Sequence, residues 1–170
     1  MTVRIVVLAS GSGTNLQALI DAAGSGRLNA GELVAVVSDR PTALALERAR
    51  TAGIPALAVP PDDGESREHY DLRLRDVVGE HRPDLVVLAG WMRILTTGFV
   101  HAHRCINLHP ARPGELPGTR AIERAHAEFL EGRRTISGVM VHEVPDAGVD
   151  SGPVIASVDV PLHPGDTLAT

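Results

Sequence analysis

Asn107 and His109 stand two residues apart at the end of the apolar run Cys105-Ile106-Asn107-Leu108-His109-Pro110. Successive side chains on an extended strand point to opposite faces, so the amide and the imidazole share one face while Ile106 and Leu108 turn into the core. Pro110 ends the strand. An amide that donates hydrogen bonds, beside a ring that exchanges a proton near neutral pH, suits chemistry on a carbonyl group. A histidine at a strand end is also a common structural residue, so the pair needs support from elsewhere in the chain. That support lies in Pro145-Asp146-Ala147-Gly148-Val149-Asp150-Ser151-Gly152. Asp150 stands between glycines whose backbone freedom lets a carboxylate be aimed inward, and a carboxylate within reach of an imidazole favours the charged ring and holds its orientation. Asp146 competes for the role, and either aspartate can equally be a turn former.

Other stretches have the chemistry of binding. Ser10-Gly11-Ser12-Gly13-Thr14-Asn15 follows an apolar run and precedes Leu16, Leu19, Ile20 and Ala23, which recur with helical spacing. The backbone N–H groups of Gly13, Thr14 and Asn15 then sit at a helix N-terminus, where the dipole favours an anion; a single terminal phosphate is the expected ligand. The dinucleotide fingerprint needs a third glycine where Leu16 stands. Asp39, at the end of the next strand, leaves a nicotinamide nucleotide open through a ribose hydroxyl, and a glycine turn without ligand is the other alternative. Trp91-Met92-Arg93-Ile94-Leu95 is an apolar patch suited to a flat aromatic ligand, or else ordinary core. Arg67 lies in the first turn of a helix beside a loop, placed for a ligand contact or simply part of a solvated face.

The elements that must position these groups alternate in type. Strands are expected over 3–9, 33–38, 56–59, 85–90, 138–144 and 153–160, and helices after residue 15, over 43–51, 67–81 and 121–130, with Ser66 capping the third helix. The run Leu85-Val86-Val87-Leu88-Ala89-Gly90 shows no alternation, as in a parallel strand covered on both faces. These signals predict an α/β protein, a Rossmann-like, mostly parallel open sheet with helices on both faces and with the loops after Ala9, Gly90 and His109 at one end.

Composition narrows the chemistry. A chain of 170 residues suffices for one domain with a sizeable core, and its net charge of −5 offers no general attraction to nucleic acid. Every basic residue is arginine. Without lysine there is no P-loop lysine, Schiff-base amine or Ser-Lys hydrolase. One cysteine, Cys105, permits neither an internal disulfide nor a multi-cysteine zinc site. The first apolar run is too short to span a bilayer and no signal peptide is visible, which points to the cytoplasm.

Taken together, these residues resemble the folate-dependent formyltransferases. Val6-Val7-Leu8-Ala9-Ser10-Gly11-Ser12-Gly13-Thr14-Asn15-Leu16-Gln17, Leu88-Ala89-Gly90-Trp91-Met92-Arg93-Ile94-Leu95, Asn107-Leu108-His109-Pro110 and Gly148-Val149-Asp150-Ser151-Gly152-Pro153 are similar to that family's motifs, in its order. The last three recur across members with different acceptors, whereas the first is the version found where the acceptor is glycinamide ribonucleotide. The resemblance implies a formyltransferase fold and transfer of a formyl group from 10-formyltetrahydrofolate to the amine of glycinamide ribonucleotide, in de novo purine biosynthesis, without a metal. It implies Asn107, His109 and Asp150 as the catalytic trio, Gly13, Thr14 and Asn15 around the substrate phosphate, and Arg67, Met92, Arg93, Ile94 and Leu95, with Asn107, around the folate. Its partners are small molecules, not nucleic acid or a membrane, and a homodimer stays open. A formyltetrahydrofolate deformylase, directing water at the same formyl group, and a non-catalytic nucleotide-binding protein are the rival readings. Two departures stand out. Ala111-Arg112-Pro113-Gly114 replaces the Ser-Leu-Leu-Pro of many members. The family also continues past Pro164-Gly165-Asp166-Thr167 into a long helix that brings an acidic residue to the substrate amine, so the expectation is a single domain over 1–170 lacking that helix.

Overall fold

Five apolar runs pair in parallel. In the computed structural model, which describes residues 1–168, β1 (Val3–Leu8), β2 (Gly31–Ser38), β3 (Ala56–Ala58), β4 (Leu85–Leu88) and β5 (Cys105–His109) run in one direction. β6 (Ile136–Glu143) and β7 (Val154–Pro161) continue the sheet antiparallel, giving the order β3-β2-β1-β4-β5-β6-β7. The helices are α1 (Thr14–Gly24), α2 (Leu44–Thr51), α3 (Arg67–Glu80), α4 (Thr97–Ala102) and α5 (Ala121–Leu130). This is the expected Rossmann-like, mostly parallel open sheet.

Alternate residues of each central strand feed two separate cores. Val7, Ala9 and Val36 pack with Leu16 of α1 and Ala45, Leu46 and Ala49 of α2. Val6, Leu8 and Val37 pack on the other side with Tyr70, Leu74 and Val78 of α3 and Phe99 and Val100 of α4. Each fully buried Val or Leu contributes roughly 1.5–3 kcal/mol, and only cover on both faces lets adjacent residues of one strand all be buried.

The boundaries show where pattern reading stops. Ser66 does cap α3, its Oγ accepting from His69 N at 3.2 Å. The run 85–90 ends as a strand at Leu88, because Gly90 turns the chain at φ +79°. β6 and β7 lie at 136–143 and 154–161, offset from 138–144 and 153–160, and β3 stops one residue early. α4, at six residues, is too short for helical periodicity to register and was not expected. Leu108 is only half-buried, not core; Ile106 is the last apolar residue of β5 packed against a core cluster.

Parallel pairing fixes the position of the loops. The C-terminal ends of β1 to β5 share one edge, so the loops after β1, β4 and β5 gather there with the start of α3. The loop after β1 is held by α2: Ala45 N donates to Gly11 O (3.1 Å) and Arg48 Nε to Ser12 O (2.8 Å). Gly13, at φ +72°, packs so closely that a Cβ there would lie 2.7 Å from Ala45 Cα. Only glycine meets both conditions.

Candidate active site

β5 delivers Asn107 and His109 to the edge on one face, and the loop between β6 and β7 brings Asp150 to meet them. Asp150 Oδ2 lies 3.3 Å from His109 Nδ1 and Oδ1 lies 3.0 Å from Asn107 Nδ2. Gly118 N also donates to Oδ2, at 2.7 Å. Asp150 reaches this position with φ +50°, a left-handed conformation uncommon outside glycine and one that aspartate tolerates better than most residues. Asp146 is elsewhere: it is exposed, and its Oδ1 accepts from Gly148 N at 2.7 Å within a turn of its own.

The other nitrogen of His109 is also engaged. Nε2 lies 3.0 Å from Leu116 O, so both ring nitrogens face oxygen acceptors, and a ring carrying both hydrogens serves both. Leu116 O has a second donor, Arg124 Nη2 at 2.7 Å, which would keep that carbonyl partnered if the imidazole turned away. His109 is buried and the Asp150 side chain is only 9 % exposed. Water is therefore largely kept from the pair, and the low dielectric strengthens their interaction.

One member of the cluster was not singled out from the sequence. His142 of β6 pairs directly across from Asn107 of β5, and its Nε2 lies 3.1 Å from Asn107 Nδ2 and 3.4 Å from Asp150 Oδ1. A histidine inside the apolar run 138–144 was the available signal; its partner became visible only through strand register.

The candidate binding groups lie along the same edge. No side chain caps α1 at Gly13, so the first-turn amides of Thr14 and Asn15 remain available to an anion. Ser10 joins this loop to the next: its N donates to Gly90 O and its Oγ accepts from Met92 N, both at 3.0 Å. Met92 (54 % exposed) and Ile94 (45 %) face outward, while Trp91 and Leu95 are buried, so the patch is half surface and half core. Arg93 stacks over the buried Tyr70 ring, 4.4 Å from its centroid. Burial, then the nearby Asp39 carboxylate, push the Tyr70 phenol far above its usual range. Arg67 opens α3 and is exposed. Leu88, at the base of the 91–95 loop, pairs with Asn107, which sets this wall beside the trio.

Burial also pushes the Cys105 thiol up to about 12, so it is no nucleophile near neutral pH. Two surface hollows lie away from the trio: one of about 500 Å³ between α1 and α2, lined by Gln17, Ile20 and Arg48 among others, and one of about 210 Å³ between α3 and α4. Among the described residues no cluster of His, Cys, Asp and Glu could hold a metal ion, and no helix is long and apolar enough to cross a membrane.

Comparison with known proteins adds an independent line. Residues 3–170 match the family model described as formyl transferase. A phosphoribosylglycinamide formyltransferase of Dictyostelium discoideum is 44% identical over 184 residues, covering 99% of this chain and 88% of that protein. The enzyme of the same name from Escherichia coli (strain K12) is 42% identical over 166 residues, covering 96% and 76%. The crystal structure of glycinamide ribonucleotide transformylase 1 from Symbiobacterium toebii superposes with a TM-score of 0.90 at 42% identity, over 99% of this chain and 77% of that one.

Proposed function

The chain belongs to the formyl transferase family, and from that membership we infer that it is a phosphoribosylglycinamide formyltransferase of purine biosynthesis. Its donor on this reading is 10-formyltetrahydrofolate, its acceptor the amine of glycinamide ribonucleotide, and its setting the cytoplasm. The observation that carries the assignment of the site is Asp150, whose two oxygens reach His109 and Asn107 separately.

The chemistry needs an oxyanion stabiliser and a proton route. The acceptor amine attacks the formyl carbon, the C=O electrons move to oxygen, and the tetrahedral intermediate collapses by breaking the bond to folate N10. One proton leaves the attacking nitrogen and one reaches N10. Asn107 Nδ2 donates to the oxyanion and the His109 N–H is the second donor, exchanging Leu116 O for the substrate oxygen while Arg124 keeps that carbonyl partnered. Asp150 orients the ring and balances its charge as His109 relays the proton. The α1 amides at Gly13, Thr14 and Asn15 hold the ribose phosphate, and Met92 to Leu95 with Arg67 hold the folate.

Absorbance at the release of deformylated 10-formyl-5,8-dideazafolate, with and without glycinamide ribonucleotide, tests the reading. Turnover should require the ribonucleotide. Formate released at the same rate in its absence would make the protein a hydrolase instead.

A further inference from the structure

The reaction above gives no part to His142, which is 2 % exposed and hydrogen-bonded on both ring nitrogens. We propose that His142 is a positioning residue whose tautomer, set by the Glu143 carbonyl, decides which end of the Asn107 amide faces the reacting formyl group. The inference rests on Asn107 being the oxyanion donor.

His142 Nδ1 lies 2.8 Å from Glu143 O, and a carbonyl oxygen only accepts, so Nδ1 carries the hydrogen. In the neutral ring, Nε2 then presents a lone pair. At 3.1 Å that lone pair meets Asn107, and only the NH2 end of an amide can donate to it. Asp150 Oδ1, 3.0 Å from the same amide nitrogen, imposes the same choice; it stands 3.4 Å from His142 Nε2, so both acceptors lie on one side of that nitrogen, where a single hydrogen is shared between them and the second is left for the oxyanion. The opposite flip would set the Asn107 carbonyl oxygen against a lone pair and a carboxylate at once. It would also offer oxygen to a developing oxyanion, which repels it, in place of the hydrogen that stabilises it.

The element that sets the tautomer is itself held. Glu143 N donates to Pro153 O at 2.9 Å, and a Cβ on Gly152 would lie 1.8 Å from Glu143 O. Gly152 therefore lets the loop that carries Asp150 close directly onto the carbonyl that orients His142. One closure positions both groups that hold the Asn107 amide.

Two substitutions separate the nitrogens. In His142→Gln, Oε1 is as many bonds from the backbone as Nε2 and keeps an acceptor for Asn107. In His142→Asn, the amide matches Nδ1 and keeps a donor for Glu143 O, with nothing at the Nε2 position. With 10-formyl-5,8-dideazafolate and glycinamide ribonucleotide, His142→Asn should lower kcat about tenfold, the size of one ordinary hydrogen bond, with both Michaelis constants within about twofold. His142→Gln should stay within about threefold of the parent. In an Asn107→Ala background, His142→Asn should cost less than about twofold more, because the group it orients is gone. Equal losses in the Gln and Asn variants, or a full tenfold loss in the Asn107→Ala background, would overturn the inference while leaving the proposed reaction standing. If His142→Asn does not fold, a tenfold loss in folded His142→Gln overturns it just as well. An Asn107→Ala enzyme that keeps most of its turnover sinks the oxyanion assignment, and this inference with it.

Discussion

Replacing Asp150 by asparagine keeps its size and removes its charge, and the contacts around it determine the cost. The carboxylate accepts at both oxygens: from Asn107 Nδ2 at Oδ1, and from Gly118 N and His109 at Oδ2. An amide has only one acceptor end. Whichever way it turns, its NH2 faces a donor, either Asn107 or the Gly118 and His109 pair, and a buried donor left without an acceptor costs about 1–3 kcal/mol. To this is added the loss of the charge that balances a protonated ring during proton transfer. Disabling an acid–base group typically costs on the order of 10²–10⁴ in rate, or about 2.7–5.4 kcal/mol of barrier. We expect Asp150→Asn to lose kcat in that range, measured by donor deformylation at saturating substrates, with a folded circular-dichroism spectrum. Asp146→Asn is the control: it is exposed, and an asparagine keeps the oxygen that Gly148 N needs, so kcat should stay within about twofold. If Asp146→Asn abolishes turnover while Asp150→Asn leaves it intact, the wrong carboxylate has been assigned and the trio fails.

The remaining predictions address the binding loop, the buried thiol and acid stability. Inorganic phosphate should compete with glycinamide ribonucleotide and not with the folate in steady-state kinetics; competition with the folate alone would remove the anion site from the α1 amides. Gly13→Ala should destabilise the fold by about 1–3 kcal/mol in urea titration, because its Cβ meets Ala45 at 2.7–2.8 Å at a φ of +72°; unchanged stability would refute that packing. Cys105, with its thiol pushed up to about 12, should resist iodoacetamide at pH 8 until the chain unfolds, and equal labelling of native and unfolded protein by mass spectrometry would contradict its burial. The Glu65 carboxyl is lowered first by its hydrogen bond from Arg73 and then by Asp62 N. Its folded value lies below the unfolded one, so its stabilisation is present above about pH 4.3 and is lost as pH falls through the folded value. Glu65→Gln should flatten stability against pH below that point, and an unchanged slope would refute the linkage.

Much of this molecule could be read from order and spacing. Val6, Val7 and Leu8 in succession signal a strand covered on both faces, the glycines before Thr14 signal a strand-to-helix turn, and the alternation of types predicts a parallel sheet. Those signals are local, because a strand's period and a turn's φ are set by adjacent residues. Parallel pairing then follows, and with it the shared edge where the loops after β1, β4 and β5 meet. The pairing of Asn107 with His109 was legible for the same reason, since the two are one strand repeat apart.

Residue pattern alone, however, leaves Asp146 and Asp150 both open and only the family resemblance names Asp150, whose contacts with Asn107 and Gly118 arise from the closure of a loop onto residues 32 to 43 positions away. The same holds for Leu116 O beneath His109, which depends on how the loop over residues 110–120 folds back. His142 is the clearest case. A histidine within the apolar run 138–144 is the only local signal, and nothing there names its partner; antiparallel register sets it opposite Asn107, 35 residues away in sequence. A one-residue slip of that register would turn its ring to the other face of the sheet. Periodicity determines which face a side chain takes along its own strand, but hydrogen-bond partners across strands are determined by register and loop closure, and these exist only once the whole sheet has formed.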